Sequence, residues 1–196
     1  MGLKRVANFF ARTPLYGWNG TAFVNTGCKG ALQPYDRFVS EREFGAKRRM
    51  LLVNPDTPIP SQYTVVRLNS DGPIYMVGWL NKDVQDDQTY SLIYLLHQVT
   101  ETGQLIALVK NIKASGMVGV VTDNILGTWH CNSERITFNN SREFNEVRIT
   151  DATLTLPNNC PVTIDHEFAI GNSRYVIQEV YKTSGLLQVR AQLKYT

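Results

Sequence analysis

Apolar residues recur along this chain in short alternating runs broken by turn residues, a rhythm that predicts strands rather than helices. Met50 to Val53 is a brief apolar run closed by Asn54-Pro55, with Pro58 and Pro60 following. Tyr63 to Leu68 alternates, with Tyr63, Val65 and Arg67 on one face and Thr64, Val66 and Leu68 on the other. Asn69-Ser70-Asp71-Gly72-Pro73 is a turn signal, and Ile74 to Leu80 is a strand rich in β-branched and aromatic residues. Residues 81–88, NKDVQDDQ, read as a polar hairpin loop before a long strand from Tyr90 to Val99. Gln104 to Ile112, Met117 to Thr122, Arg135 to Phe138, Glu146 to Ile149 and Ala152 to Leu156 are further candidates. The clearest pattern comes last: Glu167 to Ile170, a Gly171-Asn172-Ser173 turn, Arg174 to Tyr181, a Thr183-Ser184-Gly185 turn, and Leu186 to Lys194. That order is a β-meander.

Residues 63–99 laid over 166–194 bring similar features into the same order. Each begins with a short strand and a glycine-containing turn, and a tyrosine-bearing strand follows, Ile74-Tyr75-Met76-Val77 against Arg174-Tyr175-Val176-Ile177. A polar loop and a long last strand complete both, and Gly72 stands against Gly171. The expectation is an all-β chain of small antiparallel β-barrel or sandwich modules in two related halves. Its divisions are an irregular N-terminal extension over 1–47, a first module over 48–112 and a second over 113–196. Within the extension, Lys4 to Ala11 suits a short helix ended by Thr13-Pro14. Gly17, Gly20, Gly27 and Gly30 then punctuate a segment carrying Tyr16, Trp18 and Phe23.

Charge changes this picture only at the N-terminal end. Residues 1–50 hold nine Lys or Arg against three Asp or Glu, whereas residues 51–196 hold eleven against fourteen. The basic stretch Arg37, Arg42, Lys47, Arg48 and Arg49 suits an acidic protein neighbour or non-specific proximity to DNA phosphates; a solvated surface would read the same. Asp83, Asp86 and Asp87 form an acidic counterpart in the 81–88 loop, without the spacing of a calcium loop. No apolar run is long enough for a transmembrane helix, so no membrane partner is expected.

Candidate chemistry is sparse. Cys28, Cys131 and Cys160 are widely spaced, odd in number and without a CxxC pair, the usage of reduced buried thiols. His97, His130 and His166 form no HExxH or His-x-His frame, and adjacent strand residues such as His130 and Cys131 point to opposite faces. No GxSxG elbow, P-loop or dinucleotide fingerprint is present. The expectation is a non-enzymatic chain with no catalytic residue, cofactor or metal site. A hydrolase carboxylate around Asp151 or Asp165 is the weakest alternative.

From Val162 to Leu193 the order of strand, glycine turn, xYxV strand, TSG turn and long strand resembles the ending of small β-barrel neck and tail proteins of tailed bacteriophages, head–tail joining proteins especially. Gly171, Tyr175 and Gly185 carry the resemblance, and it implies turn and core roles for them. It further implies a virion structural subunit assembled in the host cytoplasm, self-associating into a ring beside portal, adaptor or tail proteins. Tyr16, Trp18, Arg37, Arg42, Lys47, Arg48, Arg49, Asp83, Asp86 and Asp87 are then the candidate interface. A carbohydrate- or receptor-binding β-module is the alternative, suggested by Tyr16, Trp18, Trp79 and Trp129.

Overall fold

A computed structural model describes residues 13–34, 48–85, 88–112, 118–135, 151–183 and 185–194. They form twelve strands: β1 (Thr13–Trp18), β2 (Phe23–Pro34), β3 (Arg48–Val53), β4 (Val65–Leu68), β5 (Ile74–Gln85), β6 (Gln88–Gln98), β7 (Glu101–Ile112), β8 (Val118–Arg135), β9 (Asp151–Pro157), β10 (Glu167–Ile170), β11 (Ser173–Thr183) and β12 (Leu186–Leu193). Six close into one barrel in the order β1-β2-β3-β6-β5-β4, and six into another in the order β10-β11-β12-β9-β8-β7. Started from β7, the second ring reads β7-β8-β9-β12-β11-β10, which is the first ring's order with six added to each number. The all-β, two-module expectation holds as two barrels of one topology. Among the described residues no helix is long and apolar enough to cross a membrane.

The barrels agree in register as well as in order. Val66 pairs with Tyr75 in the first, and Phe168 with Tyr175 in the second. Val77 N donates to Thr64 O at 2.8 Å, and Ile177 N donates to His166 O at 2.8 Å. Val99 N to Ile74 O at 2.9 Å likewise matches Lys194 N to Arg174 O at 2.7 Å. The overlay of residues 74–77 on 174–177 is therefore the structural one. The turn before them differs from the sequence overlay. Asn69 (φ 62), following Leu68, matches Gly171 (φ 55), following Ile170, both in the left-handed region that Asn and Gly tolerate best. Gly72 falls inside a longer first-barrel turn.

Alternation fills each barrel. The first core gathers Leu51, Val53, Val66, Tyr75, Leu92, Tyr94 and Leu96. The second gathers Leu154, Leu156, Phe168, Ile177, Leu187, Val189 and Ala191, with Tyr175 packed against them. Their loops repeat too: Val53 is followed after four residues by Pro58-Ile59, and Leu156 after four by Pro161-Val162, with Ile59 and Val162 both buried in their cores.

Two expected boundaries move. Residues 13–34 are not an extension: β1 pairs with β2 and β4, and β2 pairs with β3, so they are three-sided barrel wall. The junction between modules falls between Val99 and Thr100 rather than after 112, because β7 pairs with β8 and β10. The Pro157–Asn159 and Ser184–Leu186 pieces group with the first unit. The 81–88 loop is also mostly strand, since Asn81 pairs with Ile93, Lys82 with Leu92, Asp83 with Ser91 and Gln85 with Gln88. Asn81, Lys82 and Val84 are exposed, and on a strand that faces water composition does not distinguish strand from loop. The helix over Lys4 to Ala11 and the strand over Glu146 to Ile149 lie outside the described residues.

Candidate functional site

The three cysteines are core residues. Cys28 lies in the first barrel's cluster, with its Sγ 3.2 Å from Pro58 O, while Cys131 and Cys160 lie in the second. All three are buried and unbridged. Burial pushes the Cys131 thiol up to about 12, with Glu101 and Cys160 adding in the same direction, and burial likewise takes Cys160 to about 12. The thiolate is the nucleophile, so these groups are chemically quiet in the folded chain. At pH 8, alkylation of Cys131 and Cys160 is expected to be about a thousandfold slower than for an ordinary thiol, and to become fast in denaturant. Mass spectrometry after timed iodoacetamide exposure checks this.

Histidines and carboxylates are equally dispersed. His97 and His130 are buried on β6 and β8. His166 Nδ1 accepts from Thr163 N at 3.3 Å within a turn, and Asp165 (φ 68) is exposed beside it. Among the described residues no group of three or more His, Cys, Asp or Glu is arranged to hold a metal ion.

Buried charge occurs on the wall of the second barrel. Glu167 is 1% exposed and accepts from Lys194 Nζ at 2.7 Å and from Arg174 Nε. Arg174 also grips Asp123 of β8 through both terminal nitrogens, at 2.8 and 2.7 Å, holding that carboxyl below its ordinary range. The first barrel carries Val65, Ile74 and Val99 where the second carries Glu167, Arg174 and Lys194. There, Val65 and Met76 are buried with Leu186, and Trp18, Phe23, Ile74 and Val99 pack around them. One set of wall positions is thus apolar in one copy and ionic in the other.

Shared topology makes each barrel a reference for its twin, and the largest departures are two overgrown hairpins. In the first barrel, β1 and β2 are joined by a tight turn in which Asn19 Oδ1 accepts from Thr21 N at 3.0 Å and Ala22 N at 2.9 Å. Its counterpart, β7–β8, instead runs on as an arm, with β8 reaching 18 residues. Ala107 pairs with Asn124, Val109 with Thr122 and Lys110 with Val121. Every residue from Val121 to Leu126 is exposed, so neither face of this stretch rests on a core. A strand lying on a barrel buries alternate residues; these six bury none. The other overgrown hairpin is β5–β6, with a bulge between Val77 and Leu80 that turns Trp79 outward. Of the ten large apolar side chains exposed among the described residues, seven lie on these two hairpins: Trp79, Leu80, Val84, Val109, Val121, Ile125 and Leu126. Apolar surface concentrated this way marks contact surface.

The interface residues expected from sequence are scattered by comparison. Tyr16 is half-buried on β1. Trp18 packs against Phe23 with ring centroids 5.1 Å apart, and Arg67 stacks over the Phe23 ring at 4.1 Å. Arg48 and Arg49 lie on β3, opposite His97 and Leu96 of β6, and Arg49 is half-buried. Asp83 pairs with Ser91 in the β5–β6 ladder, its side chain outside the described residues. Arg37, Arg42, Lys47, Asp86 and Asp87 lie wholly outside them. Of the aromatic set, Trp129 packs on the second core and Trp79 is exposed. Nothing in the sequence singled out the β7–β8 arm; its one trace is the run VVTDNIL, too apolar for a loop and without a buried face.

No protein-family model matches the chain, and a search of curated proteins finds no relative. Among solved structures, K. pneumonia MrkH in its apo state matches 98% of this chain and 83% of its own, at 6% identity and a TM-score of 0.23. That likeness is too slight to carry an argument.

Proposed function

We propose that this chain is a structural subunit that acts by contact, assembling into a ring in the neck or tail of a tailed bacteriophage. The observation that carries the contact role is the β7–β8 arm, a two-faced strand pair projecting Val109, Val121, Ile125 and Leu126 into solvent. Such a feature lowers solubility unless a partner covers it. Two closed barrels supply the rigid bodies a ring is made of, and closure removes the edges along which they would otherwise aggregate. The phage setting rests on the resemblance over residues 162–194. Light scattering on the purified chain tests the reading: a multimer is expected, alone or when mixed with a neck or tail neighbour. A chain that stays monomeric in both conditions and binds a glycan would overturn it. The glycan-binding alternative draws less support, since Trp18 and Trp129 are committed to internal packing and Trp79 is the one exposed tryptophan of its set.

A further inference from the structure

The arm's outer edge gives the assembly reading a specific partner. In the ladder, β10 meets β7 only from Gln104 to Ile106, and β9 meets β8 only from Asn132 to Arg135. On its side away from β7, therefore, β8 has no strand partner among the described residues from Val118 to Trp129. Among the described residues that leaves an edge of more than ten residues with no strand beside it, on a barrel that is elsewhere closed.

Proteins protect such edges with lysine, proline or a very short edge strand. From Val118 to Trp129 the sequence is VGVVTDNILGTW, with no lysine, arginine or proline. Two bulges interrupt the edge, where the register shifts between Ile125 and Gly127 and again between Val121 and Val118, and they leave Val121 to Ile125 as its regular stretch. The lone charge, Asp123, is already neutralised by the two-nitrogen grip of Arg174. Lysine does occur on the arm, at Lys110 of the opposite strand.

We infer that the free edge of β8 pairs antiparallel with β8 of a second copy of this chain, joining two arms into a four-stranded ribbon about a two-fold axis. This rests on the proposed assembly role, and as a closed two-fold contact it joins copies in pairs, a ring needing a second, head-to-tail contact besides. An antiparallel edge is its own complement, because each strand offers N–H and C=O groups in the pattern its two-fold mate requires. With no net charge left on the edge, two copies meet without repulsion. Backbone pairing over one short edge buries less than the roughly 1,600 Å² of a standard interface, so the exposed Val121 and Ile125 side chains must share in the contact. Where the two-fold falls near residue 123, Val121 of one arm stands beside Ile125 of the other, an apolar cross-strand pair on each side of the axis.

Analytical ultracentrifugation of the full chain and of a V121K/I125K variant tests this. Both side chains are exposed, so the variant keeps its barrels, and its dimer dissociation constant is expected to rise at least tenfold. Separately, a mixture of Thr122→Cys and Asn124→Cys chains is expected to give a disulfide-linked heterodimer with oxidised glutathione as electron acceptor, because a two-fold near residue 123 sets position 122 of one copy opposite position 124 of the other. The buried native thiols do not compete. Hydrogen exchange supplies the third readout: amides from Val118 to Thr128 should gain protection with rising protein concentration. Association left unchanged by the double lysine variant would overturn the inference while leaving the assembly role intact. A monomer whose β8 amides are protected at every dilution would also overturn it.

Discussion

Replacing Phe168 with alanine is expected to cost about 3–5 kcal/mol of second-barrel stability, the upper part of the range for buried aromatic truncation. Phe168 is fully buried, and its ring lies over Gly103 of β7, where an added Cβ would fall 2.3 Å from the ring's Cε1. The ring occupies the space that a side chain at 103 would need. With Phe168 gone, glycine has nothing to swing into the void, so the cavity collapses poorly. Urea unfolding should show a lower midpoint, and hydrogen exchange should accelerate across β7 to β12 while the β1 to β6 core changes little. A cost below about 1 kcal/mol would contradict full burial of the ring.

Alkaline pH is expected to weaken the second barrel before the first. Cys131 and Cys160 titrate near 12 in the folded chain against an ordinary value of 9.0. The folded pKa is raised, so the folded state favours the neutral thiol. That contribution is complete below about pH 9 and is lost progressively as pH climbs from 9 toward 12, with a size on the order of several kcal/mol for the pair. In the first barrel Tyr75 and Tyr94 are raised above their ordinary 10.0 chiefly by burial. Loss there has the same sign but starts a unit later. Thermal melts between pH 8 and 11 should show the second barrel's transition falling first. A Cys131→Ala/Cys160→Ala variant, weaker at neutral pH, should lose that early slope. An unchanged slope would place its origin elsewhere.

Much of the architecture was legible where alternation is strong. The β4–β6 and β10–β12 meanders were readable residue by residue because one face of each strand fills a core. Their Tyr75 and Tyr175 registers coincide for that reason. The first two strands were hidden by glycine. Gly17 and Gly30 read as punctuation, yet both are buried strand positions, where an added Cβ would fall 2.2 Å from the Tyr63 ring and 2.6 Å from Leu51. Glycine there records close packing rather than a turn, a distinction that needs the neighbours. The overgrown hairpins were hidden for the opposite reason. A strand with both faces in water has no reason to alternate, so Val121 to Leu126, like the exposed Asn81, Lys82 and Val84, looks like a loop or fragment. Charge drew attention to Arg37 to Arg49 and Asp83 to Asp87, whereas the exposed apolar side chains lie on surfaces that sequence pattern does not mark.

The exchange of Val65, Ile74 and Val99 for Glu167, Arg174 and Lys194 makes the two copies unequal as building blocks. A wall finished with ions needs only its own residues and water, since Glu167, Arg174, Lys194 and Asp123 all belong to the second unit. A wall finished with Val65 and Met76 needs a lid, and one piece of it, Leu186, is encoded some ninety residues past the end of that barrel's last strand. Cutting the gene between its two repeats would therefore not yield two equivalent parts. The later repeat would keep all four of its ionic groups, while the earlier one would be released without Leu186 over Val65 and Met76.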